Sequence, residues 1–401
     1  MRPLLLAWCT LTRQPARAVL GVAGIAVVGA LLFDMLLLSR GLAVSFRDLL
    51  EGTGFDVRVT ANQWVPSRGP MIGNGTAVLR QLRALEEIEA VVPVRFGRGR
   101  VVAADGEELP TDFMGVGGNA RGTWTVFEGE NLPATGDAAY PAILVNRFLA
   151  ERMHLSAGDS LRLHGACDSP VSAMPATEFT VIGIVDFRFE IERRYASVTT
   201  LDQFARTCAP ADPDAVTLFM AASRREVGPD GAVRAIDRAL PDLHAFTNQE
   251  FVDRMQATDF SYFRQVSFAL ATITLFFAFL LIATLLTVSV NQRLGEVAAL
   301  RALGFRRRRI VADLIWESVL LVATGGLLGL PLGGLLAARL DAILREMPGI
   351  PMHLHFFVFQ PRAAIAYAAL LAAAGVLAAA YPVYLAARLP IAATLRREVV
   401  S

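Results

Sequence analysis

Residues 291–337 read NQRLGEVAALRALGFRRRRIVADLIWESVLLVATGGLLGLPLGGLLA, and this stretch decides how the chain is built. An arginine-rich segment, 291–309, stands between two long apolar runs. Within it Leu294, Val297, Leu300, Leu303 and Phe305 recur among Arg293, Glu296 and Arg301, close to the spacing of an amphipathic helix. Gly304 breaks the pattern before four consecutive arginines, Arg306 to Arg309. Such a segment fits a connector between two membrane helices, one that either docks a soluble partner or lies along lipid headgroups. Four arginines against a membrane span suit anionic headgroups and orientation, so nucleic acid is not an expected partner.

Outward from the connector, hydropathy marks four spans at 18–38, 266–290, 310–338 and 363–387. Each reaches the roughly 20 residues needed to cross a hydrocarbon core of about 30 Å. With 54% hydrophobic and 19% charged residues, the chain is too apolar for an ordinary soluble enzyme and too charged for a bundle of spans alone. The first span is too long for a secretion-signal core and lacks a clear small-x-small cleavage site, so it is read as retained.

Basic residues near the spans set orientation. The N-terminal segment, the connector and the tail hold 12 arginines against Glu296 and Glu398, which places all three in the cytoplasm. The long segment between the first two spans then lies outside, where residues 41–260 carry nine more acids than arginines. The organisation is a cytoplasmic interfacial helix at 1–17, a first transmembrane helix at 18–40, an extracytoplasmic α+β domain at 41–264 with an inserted subdomain at about 130–196, and a second transmembrane helix at 265–290. A cytoplasmic coupling segment follows at 291–309, then a third helix at 310–338, an outer loop at 339–362, a fourth helix at 363–387 and a cytoplasmic tail at 388–401. The fold class is thus an α-helical membrane protein with four transmembrane helices and a large α+β domain between helices 1 and 2.

In the external segment Phe55 to Ala61 alternates as a strand, with Asp56, Arg58 and Thr60 on its polar side. Thr76 to Ala90 has helical spacing and Val91 to Val102 reads as strand. A helix over 146–153, strands over 160–163, 179–185 and 215–221, helices over 201–207 and 231–240, and a helix from Asn248 running on into the second span complete the reading.

All 38 basic residues of the Lys+Arg class are arginine. Without lysine these residues hold no Walker A motif, no Schiff-base amine and no S-x-x-K pair, since guanidinium cannot lose or share its proton as those mechanisms require. No cofactor is expected on the chain, and no H-E-x-x-H, G-x-S-x-G or C-x-x-C occurs. Gly115 to Ala120 (GVGGNA) matches a dinucleotide fingerprint on paper but is followed by Arg121-Gly122-Thr123-Trp124, which reads as a loop rather than a helix. His353, His355, His154 and His164 have no Cys, Asp or Glu at zinc-like spacing and read as surface histidines. Cys9 falls inside, while Cys167 and Cys208 share the external compartment, where a disulfide and two free thiols are both open.

Gly325, Gly329, Gly333 and Ala337 form a small-xxx-small face that admits close helix approach, from this chain or from a second copy. Asp313 and Glu317 lie near enough to the inner interface to meet Arg306 to Arg309, and Asp34 can reach water or Arg40. A proton relay is the alternative.

In order and topology these features resemble the FtsX-type permease subunits of the MacB class of ABC transporters, with a MacB-like periplasmic core domain and a single FtsX domain. The resemblance is carried by Leu11 to Arg17 leading into Gly24-Ile25-Ala26, by Glu296 to Phe305, by Glu317 and the glycines after it, and by Tyr381-Pro382 through Ala386 to Ile391 and Leu395-Arg396. Within the external domain Ile143 to Asn146 and Gly158 to Leu163 add to it. The resemblance implies a dimer, as a second copy or a paralogue, bound to a separate ATPase that holds ATP and Mg, in a bacterial inner membrane. It places ATPase coupling on Glu296, Val297, Leu300, Arg301, Leu303, Gly304 and Phe305. It implies export of an amphipathic substrate by mechanotransmission, with a periplasmic adaptor and membrane lipids as further partners. A non-transporting regulator of an external hydrolase, and a membrane-anchored enzyme or sensor, are the other classes open to the sequence.

Overall fold

The computed structural model describes residues 15–62, 69–102, 106–118, 120, 122–133, 140–166, 175–208, 211–257, 261–292, 307–345 and 351–388. The coupling residues Glu296, Val297, Leu300, Arg301, Leu303, Gly304 and Phe305, together with Cys9, Cys167 and the tail beyond 388, lie outside them. The chain divides into two compact units, 1–42 with 259–344 and 355–401, and 43–258 with 345–354.

The first unit holds helices long and apolar enough to cross a membrane. They belong to α1 (Pro15–Glu51), α7 (Ser261–Gln292), α8 (Arg307–Arg345) and α9 (Pro361–Arg388), numbered with the external helices below. In lipid no hydrophobic force drives helices together, so association rests on close packing and small residues. That is how this bundle is built. A Cβ on Gly325 would lie 2.7 Å from Ile25 Cβ, one on Gly333 would lie 2.9 Å from the Ala30 carbonyl, and one on Gly329 would lie 2.6 Å from Tyr367 Oη and 3.1 Å from the Ala26 carbonyl. The glycine face of α8 is therefore seated on α1 of the same chain, and Ala337 is buried in the same apolar cluster. Tyr367 of α9, 2% exposed, donates to the Gly326 carbonyl at 2.9 Å. From α7, Leu281 and Leu285 rest on Gly24 and Gly21 of α1.

The second unit is α+β. In chain order it contains the end of α1, β1 (Val57–Thr60), α2 (Gly75–Arg83), β2 (Ile88–Val102), β3 (Glu108–Val116), β4 (Trp124–Gly129), β5 (Ala142–Asn146), α3 (Arg147–Met153), β6 (Ser160–Gly165) and β7 (Thr177–Phe187). It continues through β8 (Tyr195–Thr200), α4 (Leu201–Cys208), β9 (Leu218–Ser223), α5 (Gly228–Ala239), β10 (His244–Thr247) and α6 (Asn248–Ala257). The strands form one ten-stranded sheet in the order β10-β1-β9-β2-β3-β8-β5-β7-β4. Because β6 pairs with both β2 and β7, the path β2-β3-β8-β5-β7-β6 closes on itself as a ring. Residues from about 130 to 196 supply β5, β6 and β7 to this ring, hydrogen-bonded into the same sheet as the rest.

The ring is filled by Val101, Phe113, Ile143, Leu161, Phe179 and Val181, with Leu149 of α3 and Phe204 of α4 as plugs. Phe113 stacks on Phe204 at 4.9 Å between centroids. A second core lies between β1, β9 and the helices α2 and α5, and holds Val57, Val59, Leu82, Phe219 and Ile236. α2 begins at Asn74 in left-handed conformation and is capped from afar by Asp214, which accepts from Thr76 N at 2.9 Å. The helical spacing through Ile88 ends early in the structure, since Ile88 already opens β2.

Gly329→Val would force a branched side chain against both Tyr367 and the α1 backbone. It is expected to destabilise the membrane unit by about 1–3 kcal/mol, whereas Gly334→Ala, with nothing within 4 Å of its Cβ, is expected to be neutral. Thermal inactivation of the two variants in a lipid bilayer checks this.

Candidate functional site: an apolar chamber around a buried arginine

β1 is buried on both sides. Val57 and Val59 enter the core beneath α2 and α5, so Arg58 points to the opposite face of the sheet. There it stands in register with Phe246 of β10 and Met220 of β9. Its side chain lines a cavity of about 470 Å³. One wall is sheet, from Val94, Phe96, Met114, Leu218 and Met220; the other is helix and loop, from Phe46, Leu50, Phe189 and Phe251. Phe46 packs against Phe189 at 5.8 Å and against Phe251 at 6.0 Å, and Phe251 stacks on Phe246 at 5.6 Å.

Polar atoms in this chamber are few and two lack partners. Arg58 is 5% exposed, and its Nη1 makes no hydrogen bond among the described residues. Thr123 Oγ1, also in the lining, is buried and unpartnered in the same sense. Burial pushes the Arg58 guanidinium down to about 10, with Asp56 opposing, so it remains a cation at neutral pH. An arginine so placed is costly unless something completes its hydrogen bonds.

At the rim the loop after β7 carries Glu190, 4% exposed. Its position is set by Asn146, a fully buried residue whose four hydrogen-bonding directions are all used. Asn146 Oδ1 caps α3 through Leu149 N at 3.1 Å and accepts from Ala196 N at 3.2 Å. Its Nδ2 donates to Glu190 Oε1 and to the Arg194 carbonyl at 2.7 Å. Burial, and then the hydrogen bond shared with Asp186, push Glu190 up to about 8, while that hydrogen bond holds Asp186 below the usual carboxylate range. Glu190 is therefore mostly neutral at pH 7. Arg194 is spent on Asp112 at 3.4 Å, which leaves Arg58 to set the sign of the chamber.

The sequence reading placed Arg58 on the polar side of β1, opposite Val57 and Val59, and singled out neither Glu190 nor Thr123. Elsewhere its candidates are scattered. Gly115 lies in β3 and Gly117 and Gly118 in the loop beyond it, which leads to β4 rather than to a helix. Among the described residues no cluster of His, Cys, Asp and Glu could hold a metal. His353 lies 3.6 Å from Asp186, His355 lies 2.9 Å from Asp341, and His154 closes α3 in left-handed conformation. Glu317 is buried and accepts from Ser289 Oγ at 2.9 Å. The side chains of Asp313 and Arg307 to Arg309 lie outside the described residues. Asp34 is fully buried, with neither oxygen hydrogen-bonded among the described residues, and so does not reach water; the side chain of Arg40, the other expected partner, lies outside the described residues. Cys208 is disulfide-bonded.

Comparison with known proteins adds two family models. One described as the MacB-like periplasmic core domain matches residues 18–239, and one described as the FtsX-like permease C-terminal region matches residues 268–391. A curated relative, the macrolide export ATP-binding/permease protein MacB of Marinobacter nauticus, is 23% identical over 84% of this chain and 52% of its own length. The chain thus spans about half the length of that relative. Among solved structures, the periplasmic region of MacB from Actinobacillus actinomycetemcomitans aligns over 52% of this chain and 96% of its own, at 11% identity and a TM-score of 0.39. The extracellular domain of the noncanonic ABC-type transporter YknZ from Gram-positive bacteria aligns over 48% of this chain and 98% of its own, at 10% identity and a TM-score of 0.34.

The titration of Glu190 gives a signed expectation. An acid whose folded value is about 8, against about 4.3 when unfolded, binds more protons in the native state, so stability falls as pH rises between those values. Glu190→Gln keeps an uncharged donor toward Asp186. Hydrogen exchange of β5 and β8 should accelerate from pH 5 to pH 8 beyond its intrinsic dependence in the native chain, and clearly less in Glu190→Gln.

Proposed function

The chain belongs to the MacB/FtsX-type ABC permease family, and from that premise we propose that it is the permease subunit of an export or extrusion complex powered by a separate ATPase. The reading is carried by one contrast: both permease regions of the family are matched, over 18–239 and 268–391, yet none of the 401 residues is lysine. A P-loop needs a lysine to reach the β- and γ-phosphates. ATP and Mg are therefore assigned to an ATPase outside these residues, proposed from the family to be a partner chain, and these residues are assigned a non-catalytic role.

The connector 291–309 is the proposed grip for that partner. In this reading Val297, Leu300, Leu303 and Phe305 would supply its apolar contacts, Glu296 and Arg301 would flank them, and Gly304 interrupts the helical sequence pattern before the arginines. Nucleotide-driven closure of the ATPase would be passed through the connector to the spans and the external domain, moving an amphipathic substrate from the outer side without an aqueous pore. A second permease copy or a paralogue completes the pair, with both termini cytoplasmic and the α+β unit periplasmic. A periplasmic adaptor and membrane lipids are the further partners of this reading. Cys167 is the proposed partner of Cys208 in the external compartment.

Leu300→Asp is expected to leave membrane insertion unchanged while lowering the ATPase recovered with the chain at least tenfold; undiminished recovery would refute the assignment of the connector. Peptide mapping without reductant is expected to yield one linked pair, Cys167 with Cys208. A free Cys167 would remove that pairing.

A further inference from the structure

The chamber beside β1 has features that neither family membership nor the export reading uses. Its volume, about 470 Å³, falls within the roughly 300–1,000 Å³ typical of small-molecule sites, and its walls are mostly aromatic and aliphatic. A dry apolar cavity would suit a hydrocarbon alone, but this one contains a buried cation. Arg58 and Thr123 both line it, and each has one buried polar atom, Nη1 and Oγ1, without a hydrogen-bond partner among the described residues. Such atoms are rare in native proteins and call for an explanation. A buried guanidinium with an incomplete set of hydrogen bonds, on a residue that lines an apolar volume, asks for an anionic acceptor of carboxylate or phosphate geometry.

Charge elsewhere in the lining is already cancelled. Arg194 pairs with Asp112, and the Glu190 carboxyl is held by Asn146 and shared with Asp186. An anion beside Arg58 would therefore meet a buried cation whose charge is offset only from outside the lining, by Asp56, and no carboxylate in the lining that is ionised and unpaired. The hydrocarbon it carries would lie against Phe96, Met114 and Met220 on the sheet side and against Phe46, Phe189 and Phe251 on the other. The two methionines give the sheet wall the adaptability that suits a flexible chain.

We infer that this chamber binds an anionic single-chain amphiphile, with its carboxylate or phosphate head on Arg58 and Thr123 and its aliphatic tail along the apolar walls. The inference deepens the export reading by naming a ligand class, and it rests on that reading only for the purpose of binding. The chamber lies wholly within the external unit, and its occupancy requires neither nucleotide nor ATPase.

The test uses the full chain in nanodiscs of zwitterionic phosphatidylcholine, without ATP, and a sixteen-carbon fatty acid bearing a photoactivatable diazirine near its tail. Crosslinked peptides are mapped by mass spectrometry, and labelling within the spans serves as the internal reference. Labelling is expected on peptides that carry Phe96, Met114 or Met220. Arg58→Gln should lower it at least tenfold relative to the spans, and Arg58→Lys should restore part of it. Met114→Trp, which fills the cavity and leaves Arg58 in place, should lower it as well, and it decides the matter if Arg58→Gln fails a protease test of folding. Competition by palmitate or by lysophosphatidic acid separates a carboxylate from a phosphate head, while hexadecyltrimethylammonium should not compete. External labelling absent from the native chain, unchanged in Arg58→Gln and Met114→Trp, or displaced equally by the cationic amphiphile would overturn the inference. Specific labelling in a chain that recovers no ATPase would keep the chamber and remove the export reading instead.

Discussion

The backbone of α1 is approached by the glycines of α8 closely enough that no side chain fits between them, and the membrane unit is organised around that contact. A Cβ at Gly333 would meet the Ala30 carbonyl at 2.9 Å, and one at Gly325 would meet Ile25 at 2.7 Å. Because lipid tails are as apolar as leucine, such proximity supplies the dispersion contacts that burial supplies in water. Tyr367 uses the same absence of side chains. It occupies the space beside Gly29 and Gly329, is 5.5 Å from the Phe33 ring between centroids, and completes its hydroxyl on the Gly326 carbonyl. The glycines are thus structural within this chain, where they seat α1 and α9 on α8.

In the external unit the governing constraint is hydrogen-bond completion. Closing β6 onto both β2 and β7 removes two edges from the sheet and pairs their backbone groups. Interior hydroxyls are matched across strands, as with Thr111 and Ser197, and Thr199 donates to the Ala142 carbonyl at 2.6 Å. Asn146 ties the end of β5, the start of α3, the Glu190 loop and β8 into one network. Four buried side-chain atoms of this unit lack a partner among the described residues, Arg58 Nη1, Arg100 Nε, Thr123 Oγ1 and Asn248 Oδ1, and two of the four belong to residues that line the one chamber.

What the sequence made legible follows from physical pattern. The spans are long apolar runs, and the candidate membrane helices of the structure coincide with them in position. Strands with clean alternation, such as β1 and β7, were readable. β3 and β8 were not, because their inward positions include Thr111, Ser197 and Thr199, polar residues that pair with groups distant in sequence. β5, Ala-Ile-Leu-Val-Asn, is buried throughout and so carries no period. The chamber was hidden for a related reason. Alternation in β1 correctly places Arg58 opposite Val57 and Val59 but cannot reveal that Phe46 and Leu50 of α1, together with the sequence-distant Phe189 and Phe251, cover that face.

The family assignment joins these parts to a machine whose motor is not encoded in these residues. Arginine alone can orient the spans, line a chamber and hold an anion, and it cannot perform the work of a P-loop lysine. Native mass measurement of the complex, extracted gently from its own membrane, tests that account most directly. The account predicts a mass containing two permease chains, identical or paralogous, with an ATPase that carries a Walker A lysine. Intact complexes that reproducibly contain this chain and no ATPase would contradict it.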